Sequence, residues 1–331
     1  MDLTTRYMGL ELKHPVLASA SPLSESLDGI KRLEDGGAAA VVLFSLFEEQ
    51  IQREQTAWAQ ALDQGTDSFA ESLSYFPEVE LDDFAATPHE YLNLVRRARE
   101  STGIPVIASL NCVTSQGWAD YARQLEQAGA SGIEINIFAI ETNLDTDGQT
   151  VEQRYEDSLR LVKQAVKLPI AMKLSPFFSA FGHMAKRLDA AGADALVLFN
   201  RFYRPDLDID TLTIEPTLTL SHPSEMRLPL QWIALLHGRI EASLGATRGV
   251  ESSREVVKYL LAGADAVFTT SSLLRKGPGH LAELIQGLER WMQDHEFGSV
   301  ADLRGLLSHA RVRDPRPLER ANYIRVLESY R

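Results

Sequence analysis

The sequence predicts an α/β fold, a single closed (β/α)8 TIM barrel with insertions after strands two and six, and three observations carry that prediction. A short pattern recurs four times, as GGAAAVVLF (36–44), AGASGIEIN (128–136), AGADALVLF (191–199) and AGADAVFTT (262–270). In each, a helix is expected to stop at Gly-Ala and a strand to follow within three residues. Glycine suits the left-handed position just past a helix end. The strands are apolar without polar alternation, as a parallel sheet buried on both faces requires. Strand and helix alternate through eight units, which favours a closed barrel over an open doubly wound sheet.

Taken in order, the first strand is Val16–Ser19 and the second lies within 36–44. IPVIASL (104–110) supplies the third and LPIAMKL (168–174) the fifth, each entered through a proline that fixes the incoming chain. The remaining repeats give the fourth, sixth and eighth, and a weaker seventh lies near Ala242–Ala246. Two intervening helices show apolar stripes at steps of three or four: Trp118, Tyr121, Leu125 and Ala128, then Val151, Tyr155, Leu159, Val162 and Val166. Thr150 with Gln153, and Ser252 with Glu255, are spaced as capping boxes. Residues 48–103 are expected to place a helix, an acidic loop and a second helix between strands two and three. Residues 201–228 contain DIDTLTI and TLTL, whose alternation predicts a small antiparallel hairpin. Loops this long in a compact barrel are usually functional lids or interface elements. The barrel is expected to span 1–310, with a C-terminal helical tail, 311–331, packed on it or on a partner subunit.

The composition, 44% hydrophobic and 24% charged over 331 residues, is that of an ordinary globular protein. The lone cysteine, Cys112, excludes an intramolecular disulfide and any Cys-based zinc or iron–sulfur centre; no metal site is predicted. A cytoplasmic location fits that cysteine count. The N-terminus has no basic region followed by a long apolar stretch, so no signal peptide is predicted. No apolar run approaches the ~18–20 residues needed to cross a bilayer. A net charge of −13 disfavours nucleic acid and anionic membranes as partners. Acid is concentrated between Thr66 and Glu90, where no Lys or Arg occurs, and arginine in the tail at Arg304, Arg311, Arg313, Arg316, Arg320, Arg325 and Arg331. These segments are either solvated surfaces or complementary contacts within a homodimer.

In a barrel the functional groups sit where strands end. Those ends are Ser19, Ala20 and Ser21; Phe44 and Ser45; Asn111; Asn136; Lys173; Asn200 with Arg201; and the loops GATRG (245–249) and TTSS (269–272). Three Asn and one Lys around one mouth suggest a bound polar ligand, because buried amides are costly unless satisfied. The alternative is bonding to neighbouring carbonyls. The last two loops suit a phosphate, with Ala246, Thr247, Arg248 and Gly249 on one side and Thr270 and Ser271 on the other. Arg248 either adds a charge-assisted contact or points to solvent. GPGHLA (277–282) is a helix start, not a dinucleotide fingerprint.

The order of these features resembles the class 1 dihydroorotate dehydrogenases, from about Leu3 to about Leu307. The likeness rests on HPVLASASP, GIEINI, IAMKLSPFF, the Asn200 strand end, GATRGVESSREVVKYLLAGADAVFTTSSLLRKGP and SVADLRGLL. It implies bound FMN and an oxidoreductase acting on a CH–CH bond of a small pyrimidine-type substrate, in pyrimidine biosynthesis. The loops at Ala246–Val250 and Thr270–Ser272 would hold the FMN phosphate, and Lys173 would contact the flavin pyrimidine end. Asn111, Asn136 and Asn200 would face flavin and substrate, with Arg201 beside the substrate. Three positions depart from the family pattern. The catalytic base, a Cys or Ser, is replaced by Ala139, and neither residue occurs from Ile133 to Thr150. A second flavin-contacting Lys is replaced by Phe44, and a loop Gly by Arg248. A proton would then move through water or Glu141, or not at all. Two alternatives follow: a flavin barrel with altered or lost dihydroorotate activity or a redox partner protein, and a Lys173 Schiff-base aldolase without flavin.

Overall fold

The computed structural model describes residues 1–47, 50, 87–111, 118–137, 140–201, 205–215, 219–319 and 327–328. The chain opens with an antiparallel hairpin, β1 (Thr5–Tyr7) and β2 (Leu10–Leu12), turned at Met8 and Gly9. Then follow β3 (Val16–Ala18), α1 (Leu27–Asp35), β4 (Val41–Phe47), α2 (Pro88–Ser101), β5 (Val106–Asn111) and α3 (Trp118–Ala128). The pattern continues with β6 (Gly132–Asn136), α4 (Gly148–Ala165), β7 (Ile170–Leu174), α5 (Phe181–Ala190) and β8 (Ala195–Leu198). A second hairpin, β9 (Asp206–Asp208) and β10 (Thr213–Glu215), precedes α6 (Arg227–Leu236) and β11 (Ser243–Ala246). After α7 (Ser253–Ala262) and β12 (Ala266–Thr269) come α8 (Ser271–Lys276), α9 (His280–Asp294) and α10 (Val300–Leu303).

Strands β3 to β8, β11 and β12 form a closed parallel barrel, and β12 pairs back onto β3 through Val267↔Val16. The four recurrent Gly-Ala junctions work as expected: Gly37, Gly129, Gly192 and Gly263 all have positive φ, from +92° to +119°, just past a helix. Alternate strand residues divide two apolar layers. Ile133 and Ile135 of β6 face the helices, whereas Leu17, Val42, Ile107, Ala171, Val197 and Phe268 fill the barrel interior. The N-terminal hairpin closes the barrel floor, where Tyr7, Met8 and Leu12 join that interior cluster. Its Met8 N–H donates to Ser243 Oγ at 3.1 Å.

Several local expectations change. Helix α4 begins at Gly148, before Thr150, because Asp147 is the N-cap and accepts from Thr150 N at 2.7 Å. The hairpin arms are DLD and TIE, so the turn falls inside DIDTLTI; Asp208 Oδ1 accepts from Asp210 N and Thr211 N within it. TLTL forms no arm among its described residues. Within the first insertion, α2 is the expected second helix, capped by Thr87 and Glu90 in a capping box. The expected first helix beyond Gln50, the acidic loop before Thr87 and Cys112 lie outside the described residues. The predicted Ser252–Glu255 capping box opens α7, and GPGHLA leads into α9 at His280. Of the tail, Arg316–Leu318 forms a single 3-10 turn, and the Leu318 carbonyl accepts from Gln231 Nε2 of α6 at 3.0 Å. Among the described residues no helix is long and apolar enough to cross a membrane.

Candidate active site at the barrel mouth

A cavity of about 790 Å³ opens at the C-terminal ends of the barrel strands. Ser19, Ala20, Ser21, Asn111, Asn136, Lys173, Asn200, Arg201, Thr247, Arg248, Gly249, Thr270 and Ser271 all line it. Of the other sequence-derived candidates, Ala246 ends β11 fully buried and does not line the cavity. Ala139 lies outside the described residues. Glu141 is not brought to the cavity. Its carboxylate accepts from Arg154 Nη1 at 2.6 Å and Asn143 N at 3.0 Å, and Glu141 is not among the lining residues.

Parallel register places Lys173 of β7 level with Asn136 of β6, and Asn136 level with Asn111 of β5. Asn200 follows β8, and its side-chain amide donates to Asn136 Oδ1. Lys173 is 8% exposed and donates to Glu134 Oε1 at 3.2 Å, one strand layer deeper, where Glu134 is 1% exposed. An ammonium engaged by a carboxylate is not a nucleophile, so this pairing disfavours the aldolase alternative.

A β-bulge sets the β4 end. The register with β5 shifts between Val42 and Ser45, so two residues, Leu43 and Phe44, oppose Ala108. Phe44 meets Tyr91 of α2 edge-to-face, centroids 5.0 Å apart, while Ser45 and Ser109 share a 2.9 Å hydrogen bond. The Phe44 ring also lines the cavity.

The loops after β11 and β12 are tied together by Ser221, on the return leg from the second hairpin. Ser221 Oγ donates to Ser271 Oγ at 2.9 Å and accepts from Gly249 N at 3.3 Å. Tyr259 of α7 supports the first loop from below, its hydroxyl shared between the carbonyls of Thr247 (2.7 Å) and Arg248 (2.8 Å). Burial pushes the Tyr259 phenol well above its ordinary pKa, so it stays a neutral donor. Arg248 takes a left-handed conformation, φ +78°, and its guanidinium lies 3.4 Å from Glu225, which Arg201 also reaches at 3.4 Å. Arg248 thus turns to a carboxylate instead of to solvent.

Sequence reasoning missed Glu134, Ser221 and Glu225. Glu134 was legible as the one acid in an otherwise apolar strand, at the same parity as Asn136. Glu225 was legible too, three residues after His222 and behind a proline. It closes a capping box there, accepting from His222 N.

The sequence profile for dihydroorotate dehydrogenase matches residues 85–292. The chain is 26% identical over 317 residues to the dihydroorotate dehydrogenase B (NAD(+)) catalytic subunit of Thermoplasma acidophilum, covering 92% of this chain and 98% of that protein. It is 28% identical over 314 residues to the catalytic subunit of the same name from Methanothermobacter thermautotrophicus, with the same coverages. A third relative of that name, from Pelobacter propionicus, is 28% identical over 329 residues. By these matches the chain belongs to the dihydroorotate dehydrogenase family of FMN-dependent oxidoreductases acting on CH–CH bonds.

Proposed function

We propose that the mouth cavity binds FMN with its phosphate between the loops after β11 and β12 and its pyrimidine edge at Lys173. A small planar substrate would lie against Asn136, Asn200 and Arg201. The observation that carries this reading is convergence: these groups, drawn from five separate strand ends, line one cavity. Its volume, about 790 Å³, falls in the range usual for cofactor and small-ligand sites. The donor chemistry fits as well. Lys173 has three N–H donors of which Glu134 takes one, and Ser19, Ser21, Thr270 and Ser271 add hydroxyls to the lining of the same cavity. Gly249, at φ +69°, lets the loop backbone turn where a side chain would strike His222 O.

When bound, FMN supplies the acceptor for a hydride from the substrate carbon. The chain supplies the rest. Lys173 offers positive charge beside the pyrimidine edge, where electron density builds on reduction. The Asn136–Asn200 pair presents carboxamide donors and acceptors that would hold a polar ring edge flat and oriented. Arg201, held loosely at 3.4 Å by Glu225, would neutralise an anionic substituent. The name "catalytic subunit" of the relatives supports a further protein in the working assembly, and we extend that to this chain as a homodimer acting with a redox partner. The single cysteine supports work in the cytoplasm and leaves any iron–sulfur centre to that partner.

The Phe44 ring and the Ala139 position favour a second reading of the same site, in which dihydroorotate is a poor substrate or none. Visible spectroscopy of the purified protein, with mass spectrometry of the released cofactor, tests the first reading. FMN is expected, and FAD, or no flavin after reconstitution, would sink it.

A further inference from the structure

Among the described residues the barrel interior holds one charge pair, Lys173 and Glu134, and only its ammonium lines the cavity. Gly132, Glu134 and Asn136 share the inward face of β6, since Ile133 and Ile135 pack outward. Glu134 therefore sits one layer below the mouth, behind Lys173 as seen from the cavity, at 3.2 Å. Two phenols share the field of this carboxylate. Tyr91, from α2, exchanges hydrogen bonds with the Ser109 backbone beside Glu134 in the register. Tyr7, from the floor hairpin, has a buried hydroxyl with no hydrogen-bond partner among the described residues. Both are pushed up, mainly by burial and further by Glu134. No second cation meets Glu134 among the described ion pairs.

Stability does not account for such a pair. Taking two charges into a barrel core costs several kcal/mol per ion, and well-packed apolar replacements are often neutral or stabilising. What the arrangement does accomplish is electrostatic and geometric. The carboxylate aims the ammonium at one spot on the cavity wall, and its negative charge subtracts from the positive field the cavity receives. We propose that Glu134 is a positioning residue that, through Lys173, sets the reduction potential of the bound flavin and holds it lower than a lone lysine would. This inference rests on the FMN reading above.

The test is the midpoint potential of FMN-loaded protein, titrated against redox dyes, for native protein, Glu134→Gln, Glu134→Asp and Lys173→Met/Glu134→Gln. Glu134→Gln leaves the ammonium uncompensated and is expected to favour the reduced flavin at least tenfold, a rise of about 30 mV for a two-electron couple. Glu134→Asp keeps the charge at shorter reach and should fall between. The double variant should lose the rise, because the cation that produces it is gone. If Glu134→Gln does not fold, a potential in Glu134→Asp equal to native overturns the proposal. So does a lowered melting temperature in Glu134→Gln with FMN bound and its potential unmoved, which would make Glu134 merely structural. Failure of the native protein to take up FMN would overturn the flavin reading and this inference together. Uptake with an unmoved potential overturns this inference alone.

Discussion

Asn200 donates its side-chain amide to Asn136 Oδ1, joining the mouth ends of β6 and β8 across the intervening β7 that carries Lys173. Both amides are buried, so each needs a partner, and in the proposed function a ligand edge would complete what they do not give each other. Asn200→Ala should weaken orotate binding to the FMN-loaded protein by about 1–3 kcal/mol, roughly 5- to 150-fold. Perturbation of the flavin absorbance by added orotate reads that affinity, and FMN affinity should change less. Equal orotate affinity in both proteins would leave the pair a structural clasp.

Removing Lys173 alone strands Glu134 in the barrel core. Breaking a buried pair by deleting one partner costs about 3–5 kcal/mol. Lys173→Ala should lower the urea unfolding free energy of the flavin-free protein by that amount, and adding Glu134→Gln should recover most of it. Single and double variants of equal stability would contradict the pairing. In loaded protein Lys173→Ala should also lower the flavin potential or loosen the cofactor.

His14 makes stability acid-sensitive. Its Nδ1 accepts from Val16 N at 3.2 Å while Nε2 contacts Gly37 O at 2.7 Å, a pattern only the neutral ring satisfies. Burial, the largest cause, depresses its pKa from 6.5 to about 4. Between those values the unfolded chain binds more protons than the folded one, so stability rises with pH. The contribution, roughly 3 kcal/mol, is complete above pH 6.5 and is lost as pH falls toward about 4. Urea midpoints across that window should fall steeply in native protein and more gently in His14→Gln. Parallel slopes would assign the acid sensitivity to other groups.

The loop after β11 has no room at Gly249. A Cβ there would lie 2.8 Å from His222 O and 3.1 Å from Met226 N, both backbone atoms, on a left-handed φ of +69°. Gly249→Ala should cost about 1 kcal/mol or more from the backbone conformation alone and displace the loop. FMN affinity should drop more than riboflavin affinity, since only FMN carries the phosphate. Equal losses would move the phosphate elsewhere.

The barrel was legible because its signals are local. Gly37, Gly129, Gly192 and Gly263 stop helices by a backbone conformation that the residue type itself permits, and the apolar strands follow at once. The strand-end ring was legible for the same reason, since a closed parallel barrel brings every strand end to one mouth. Features that depend on distant partners were legible at most as local anomalies, such as an acid inside an apolar strand. Glu134 needed Lys173, 39 positions later, before its burial made sense. Ser221 needed the loops at Gly249 and Ser271, and the floor hairpin needed Ser243. The Thr150 cap failed on a local competition that Asp147, three residues earlier, wins.

The remaining prediction concerns Ala139, the departure that most separates this chain from the family pattern. Oxidising a dihydroorotate-type ring removes a hydride and a proton from adjacent carbons, and the chain has to supply the base for the proton. Alanine cannot. Glu141 is the nearest carboxylate in sequence, yet it pairs with Arg154 and does not line the cavity. The Asn143 backbone N–H, and then Arg154, hold its carboxyl below the usual range, which makes it a weaker base still. General-base catalysis typically supplies ~10²–10⁴-fold, about 3–5 kcal/mol of barrier. Native protein should therefore reduce its FMN with dihydroorotate very slowly or not at all, and Ala139→Cys should speed that reduction, most at pH values where the thiolate forms. Anaerobic mixing with dihydroorotate, followed at the flavin absorbance band across pH, compares the two. Fast reduction in native protein would show that another base operates. No reduction in either would assign the site a different substrate, and the Phe44 ring beside Tyr91 is then the first group to replace with lysine.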